Sequence, residues 1–139
     1  MPMSTHGQVQ HINPDGLTKN PAFTNIVTVT SPVKTIYIGG QDAIDSSGTV
    51  IGKGDIQQQA EQVFKNLEVA LQAVDAGLEH IIKWNIYVVH GQPIQPALEV
   101  FQHVWGRRPN PPAITMMFVS GLSNPDFLLE IDAIAALPE

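Results

Sequence analysis

No cysteine occurs among the 139 residues. This removes disulfides, thiolate nucleophiles and sulfur-ligated zinc together, and leaves oxygen and imidazole groups to carry any chemistry. The absence also fits a reducing, cytoplasmic location. Basic residues are scarce: seven Lys and Arg face thirteen Asp and Glu, for a formal charge of −6. That is the wrong sign for a protein whose affinity would come from neutralising phosphates, so nucleic acid is not an expected partner. No stretch approaches the roughly 18–20 uninterrupted apolar residues of a membrane span. Met1 to Asn20 are polar rather than signal-like, and no membrane partner is expected. Repeats and low-complexity tracts are missing, and no charge run exceeds the pair Arg107–Arg108. What is present suffices for one core: 43% of residues are apolar, in a chain of one-domain length. A single domain over residues 1–139 is expected, with 1–20 as an N-terminal extension and edge strand.

Along the chain, Gly7 to Ile12 alternates as an edge strand does, and Asn13-Pro14-Asp15-Gly16 follows with turn chemistry. Thr24–Thr30 and Lys34–Ile38 are β-branched and aromatic and read as a strand pair, closed by Gly39-Gly40. Asp42 to Gly54 reads as a surface loop. From Ile56 the apolar residues Ala60, Val63, Phe64, Leu67, Ala70, Leu71 and Val74 recur at helical spacing, predicting a helix to about Ala76. Asp55 can cap it, Gln58 can return a box-like bond, and Gly77 can stop it in the left-handed conformation. Ile81–Val89 reads as a strand, and a second helix starts near Pro96 and ends at Gly106. The prolines at 109, 111 and 112 forbid regular structure before two last strands, Ala113–Val119 and Phe127–Ala135. The order β-β-β-α-β-α-β-β predicts an α+β fold, a mixed sheet with two helices covering one face.

The other face needs a partner. In strand 113–119, Ile114, Met116 and Phe118 point one way and Thr115, Met117 and Val119 the other, so neither side is polar. Symmetric self-association is the usual way to hide such a surface.

Strand 127–135 puts Leu128, Glu130, Asp132 and Ile134 on one face. An ionised carboxylate in so apolar a strand must reach water, a cation or amide donors, which allows either a cleft or a plain hydrogen-bonded role. His6, His11, His80, His90 and His103 form no metal-binding spacing, so no metal is expected. Gly39-Gly40 serves either a bulge or the close approach of backbone to a ligand. Trp84, Tyr87 and Phe23 read first as packing residues. Arg107-Arg108 reads as a solvated pair, with an anion clamp as its functional alternative.

Taken together, Pro112-Ala113-Ile114-Thr115, Val119, Leu122 and the closing Leu129-Glu130-Ile131-Asp132-Ala133-Ile134-Ala135 resemble the C-terminal signature of the YjgF-type, or Rid (reactive intermediate deaminase), family. Ile38-Gly39-Gly40-Gln41 resembles that family's strand-ending Ser-Gly-Gln, and the stretch from Gln59 to Leu71 its first helix. The resemblance implies a chorismate-mutase-like fold assembled as a homotrimer with ligand clefts between subunits. It implies hydrolysis of short-lived enamines and imines to ammonia and a carbonyl product, without metal or organic cofactor. It assigns the family's proton-handling glutamate to Glu130 and its contributing glycine to Gly40.

The family's carboxylate-gripping arginine falls at Ile114. Charge-assisted hydrogen bonds contribute about 1.5–3 kcal/mol each, so losing a bidentate pair weakens a carboxylate substrate by two orders of magnitude or more. Gly39 replaces a common serine, and Phe23 matches an early tyrosine only in its ring. The expected cleft is therefore apolar, with Phe23, Gly39, Gly40, Ile114 and Met116 binding substrate and Glu130 catalytic. Three readings stand: a divergent hydrolase of substrates without a carboxylate, a catalytically silent trimer binding small apolar molecules or proteins, and a ribonuclease or translation inhibitor, which the charge opposes.

Overall fold

The computed structural model describes residues 6–139; the first five residues of the expected 1–20 extension lie outside it. The elements are β1 (Gln8–Ile12), β2 (Ile26–Thr30), β3 (Val33–Gln41), α1 (Ile56–Gln72), a 3-10 turn (Leu78–His80), β4 (Ile81–Val89), α2 (Gln95–Trp105), β5 (Ala113–Val119) and β6 (Leu129–Pro138). This is the expected order and an α+β fold with a mixed sheet. Two details differ. The strands do not form one sheet: β1 and β2 make a separate antiparallel ribbon, and β3-β6-β4-β5 make the main sheet. Consequently β2 pairs with β1 rather than with β3, which instead runs antiparallel to β6 from Val33–Pro138 to Ile38–Ala133. The last strand begins at Leu129, two residues later than expected, because Asn124 and Asp126 form a turn whose carbonyl holds the Phe127 amide.

The β4–β5 pair is parallel, joined by the crossover through α2, and leaves β5 at the sheet edge. Helix α1 starts at Ile56 because Asp55 accepts hydrogen bonds from the Gln57 and Gln58 amides at 3.0 and 3.2 Å. The box-like bond from Gln58 is not made. The stop lies at Asp75 rather than Gly77: Asp75 has φ 60°, Ala76 N–H donates to Leu71 O and Asp75 N–H to Gln72 O. That is a Schellman ending with an aspartate where glycine is usual. Gly77 is extended and opens the 3-10 turn.

Both helices cover one face of the main sheet. Its core is Ile36, Ile38, Trp84, Val88, Leu129, Ile131, Ala133 and Ala135 against Ala60, Val63, Phe64, Leu67 and Leu71 of α1 and Val100, Phe101 and Trp105 of α2. Trp84 sits edge-on to Phe64, Phe101 and Trp105 at centroid separations of 5.8, 5.3 and 5.9 Å. Such pairs each add about 0.5–1.5 kcal/mol beyond burial, and they fix α2 on the sheet.

Candidate functional site

The side of the sheet away from the helices carries the acids. Alternation along β6 buries Leu129, Ile131, Ala133 and Ala135 and turns Glu130, Asp132 and Ile134 outward. Asp132 is fully engaged across the strand gap: Asn85 Nδ2 donates to its Oδ1 at 2.7 Å and the Tyr87 hydroxyl to its Oδ2 at 3.1 Å. That bond to Asp132, with burial and the charges of Asp132 and Glu130, holds the Tyr87 phenol above its ordinary range. Asp132 is thus a structural anchor between β4 and β6.

Glu130 is placed differently. It stands opposite Tyr87 in register, and its carboxyl lies directly over Gly40. A Cβ at Gly40 would fall 2.5 Å from Glu130 Oε2, so only glycine leaves this room. β3 bulges here, its pairing with β6 slipping between Ile38 and Gln41. Gly39-Gly40 is therefore a bulge and, at Gly40, also a close approach to the acid.

The bulge delivers Asp42 to the same place. Burial, then a hydrogen bond with Glu130, then the charge of Glu130 push the Asp42 carboxyl up to about 7. Its Oδ1 is buried with no donor facing it. The backbone around it is rigid, since Asn66 of α1 donates to both Asp42 O and Ile44 O at 2.9 Å.

On the helix side lies an apolar cavity of about 600 Å³, walled by Phe23, Ile86, Leu98, Trp105, Ile114 and Met116, with Gln102 as a polar contributor. Thr24 holds the Phe23 wall in place: its N–H donates to Pro112 O at 3.1 Å and its hydroxyl to Pro111 O, which clamps the Phe23 segment to the head of β5.

The expected site residues therefore fall into two groups. Gly40 and Glu130 touch on the outer face, with Gly39 beside them; Phe23, Ile114 and Met116 line the cavity on the opposite side of the same sheet. Within one protomer they do not share a chamber. Arg108 is not free to clamp an anion, because its Nη1 donates to Val104 O and Trp105 O at 2.9 Å each and caps α2. Arg107 is exposed in the same loop. His90 stands edge-on to Phe118 at 6.5 Å. Among the described residues, no three His, Asp or Glu side chains gather as a metal ion would need.

Sequence reasoning missed Asp42 and Gln59. Asp42 sits in a segment read as a surface loop, and only its position two residues after the glycine pair hinted at the site. Gln59 is fully buried: its Nε2 donates to Gly52 O and Asp126 O at 3.1 and 2.8 Å, and its Oε1 accepts from Leu128 N–H at 2.8 Å. It ties α1 to the approach of β6 and so sets where Glu130 emerges. A polar residue on the buried stripe of α1 was its signal.

The family model described as endoribonuclease L-PSP matches residues 18–137. A RutC family protein of Pyrococcus horikoshii is 35% identical over 100 residues, spanning 72% of this chain and 77% of that protein. The crystal structure of the Rid family protein YyfB from Yersinia pestis superimposes with a TM-score of 0.81 at 28% identity, covering 93% of this chain and 98% of that one. RidA from an Antarctic Psychrobacter gives a TM-score of 0.66 at 26% identity, covering 74% and 80%. With the signature at 112–135, the β3 bulge and the four-stranded mixed sheet beneath two helices, these matches establish that the chain belongs to the YjgF/Rid family, the endoribonuclease L-PSP group.

Proposed function

We propose that the chain is a divergent Rid hydrolase for a small imine, enamine or related carbonyl derivative that lacks a carboxylate, with Glu130 moving protons or positioning water. Family membership supports a small-molecule-binding or deaminase-like role. The observation that carries the finer reading is the seat of Glu130: its carboxyl rests on the Gly40 bulge, beside the Asp42 carboxyl that burial and Glu130 push up to about 7. That neighbour, Asp42, is the group poised near neutrality, where a proton is both given and taken at working pH. In the hydrolysis, water adds its oxygen to the C=N carbon and a proton goes to nitrogen; the carbinolamine then breaks its C–N bond to release ammonia and a carbonyl compound. No metal or organic cofactor takes part in this reading, and no nucleic acid or membrane is its partner. Among the described residues no helix is long and apolar enough to cross a membrane.

The apolar cavity supports a substrate without an anion, since Phe23, Ile114 and Met116 offer surface and no charge. Glu130 and Ile114 lie on opposite faces of one sheet, so the reading needs a homotrimer in which one copy's cavity meets its neighbour's Glu130. Residues available for that contact are Tyr37, Met116, Met117 and Phe118, exposed by 78%, 42%, 44% and 53%. The same cavity favours one second reading, a silent trimer that binds apolar molecules without turning them over.

The test is hydrolysis of an uncharged ketimine followed by ammonia release, run beside 2-iminopropionate. Expected is turnover of the uncharged substrate that falls by about 10²–10⁴ in Glu130→Gln, the usual contribution of a general acid or base. Turnover untouched by that substitution, or 2-iminopropionate hydrolysis at the rate of an arginine-bearing relative, overturns the reading. Saturable binding with no turnover selects the silent trimer.

A further inference from the structure

Three features converge behind Glu130. Gly40 provides no side chain, and the carboxyl of Glu130 occupies the room that a Cβ there would take. Gln41 pairs with Ile131 in the antiparallel β3–β6 ladder, so Asp42, one residue on, comes opposite Glu130, one residue back; two ionised carboxylates so placed cannot share a hydrogen bond without a proton on one of them. Asp42 Oδ1 is buried without a donor, a cost that an ionised carboxylate bears in full and a protonated one largely avoids.

We infer that Asp42 is a positioning residue: its carboxyl and that of Glu130 hold one proton between them, so the site works as a carboxyl dyad and not as a lone glutamate. The inference rests on the reading of Glu130 as the proton-transfer group. Asp42 acts through Glu130, which alone faces substrate. Glu130 gives the shared proton to the imine nitrogen; its carboxylate then takes a proton from water, and the resulting hydroxide adds to the carbon. The dyad ends with the single proton it began with. Such a pair can donate at neutral pH, as a solvated glutamate with an ordinary pKa near 4.3 cannot.

Among the described residues, no lysine, arginine or histidine forms an ion pair with Asp42 or Glu130. The Tyr87 hydroxyl of β4 donates its hydrogen bond to Asp132, and Asp132 of β6 adds negative charge. Asn66 of α1 reaches Asp42 at its backbone carbonyl and not at its carboxyl. In the loop that follows, Asp45 turns its carboxylate onto Ser47 and Thr49, and the charge of Lys65 acts on Asp45. Lys83 is bonded to Thr115, Lys34 to Val74 O, and Lys53 lies 3.7 Å from Asp126. The fixed charge acting on Asp42 is that of Glu130.

The test is carboxyl ¹³C NMR titration of the Asp- and Glu-labelled protein, with wild type, Asp42→Asn and Glu130→Gln compared. Expected is one carboxyl inflection near pH 7 in the wild type. It should vanish in Asp42→Asn and shift to lower pH in Glu130→Gln, two near-isosteric changes that check each other if either perturbs folding. Two carboxyls that both titrate below pH 5 in the wild type overturn the dyad. Turnover of the uncharged ketimine supplies the second readout: Asp42→Asn should move the alkaline limb of the kcat profile and lower kcat at least tenfold with KM within twofold. A structural role would lower kcat and leave that limb in place, which also overturns the inference. An inflection near pH 7 in a protein without ketimine turnover upholds the dyad and overturns the hydrolase reading alone.

Discussion

Gly40 and Glu130 compete for one volume: a methyl group on the glycine would lie 2.5 Å from Oε2 and 2.7 Å from the carboxyl carbon of the acid. The obstructed atoms are the end of a flexible side chain, so Gly40→Ala should fold and should displace Glu130 instead. The expected outcome is a loss of ketimine turnover of at least tenfold, since small misplacement of a reacting group is costly. Thermal unfolding should show destabilisation of no more than about 1 kcal/mol.

Asp42 also makes stability depend on pH. Its folded-state pKa of about 7 lies above its ordinary value of 3.8, so the folded protein binds the extra proton. Stability from this group is therefore complete below about pH 4 and is lost as pH rises to about 7. Asp42→Asn should remove that loss. Allowing for solvent screening of a half-exposed site, the variant should gain about 1–2 kcal/mol over wild type at pH 8 and nothing at pH 4. Denaturant unfolding at both values checks this, and a gain at pH 4 equal to that at pH 8 would falsify it.

Gln59 should prove the most sensitive polar residue in the fold. Gln59→Ala leaves the Leu128 amide and the Gly52 and Asp126 carbonyls without their partner, and a buried group so stranded costs about 1–3 kcal/mol. A total of about 2–4 kcal/mol is expected in urea unfolding, with weaker activity because β6 loses its anchor beside Glu130.

Ile114→Arg puts a guanidinium on the rim of the cavity beside Phe23 and Met116. Pyruvate, a small carboxylate, should then bind about ten- to a hundredfold more tightly than to wild type, as a charge-assisted pair of hydrogen bonds supplies. Calorimetry in low salt measures this. Equal affinity in the two proteins would show that Ile114 does not face a place where an anion can bind.

Local pattern made most of the fold legible. Local signals located the start of α1 at Ile56 with Asp55 as its cap, and the end of α2 at Trp105 with Gly106 as its stop. What the pattern could not supply was long-range choice: nothing local tells β2 to join β1 when β3 lies only three residues on. The stop at Asp75 escaped for a related reason, because glycine is the cheaper left-handed residue and Gly77 stood nearby. At the site, Glu130 and Gly40 were legible and do touch. Asp42 was not, since its burial arises from a bulge and from Asn66 on a helix far along the chain.

The alternation of β5 has a practical corollary. Ile114 and Met116 pair with Trp84 and Ile86 and open into the cavity, whereas Thr115 pairs with Asn85 and accepts from Lys83 on the acidic side. Neighbouring positions of one short strand are thus separate handles. Within one protomer, changes at 114 and 116 reshape the greasy chamber, whereas changes at 115 act on the face that carries the acids.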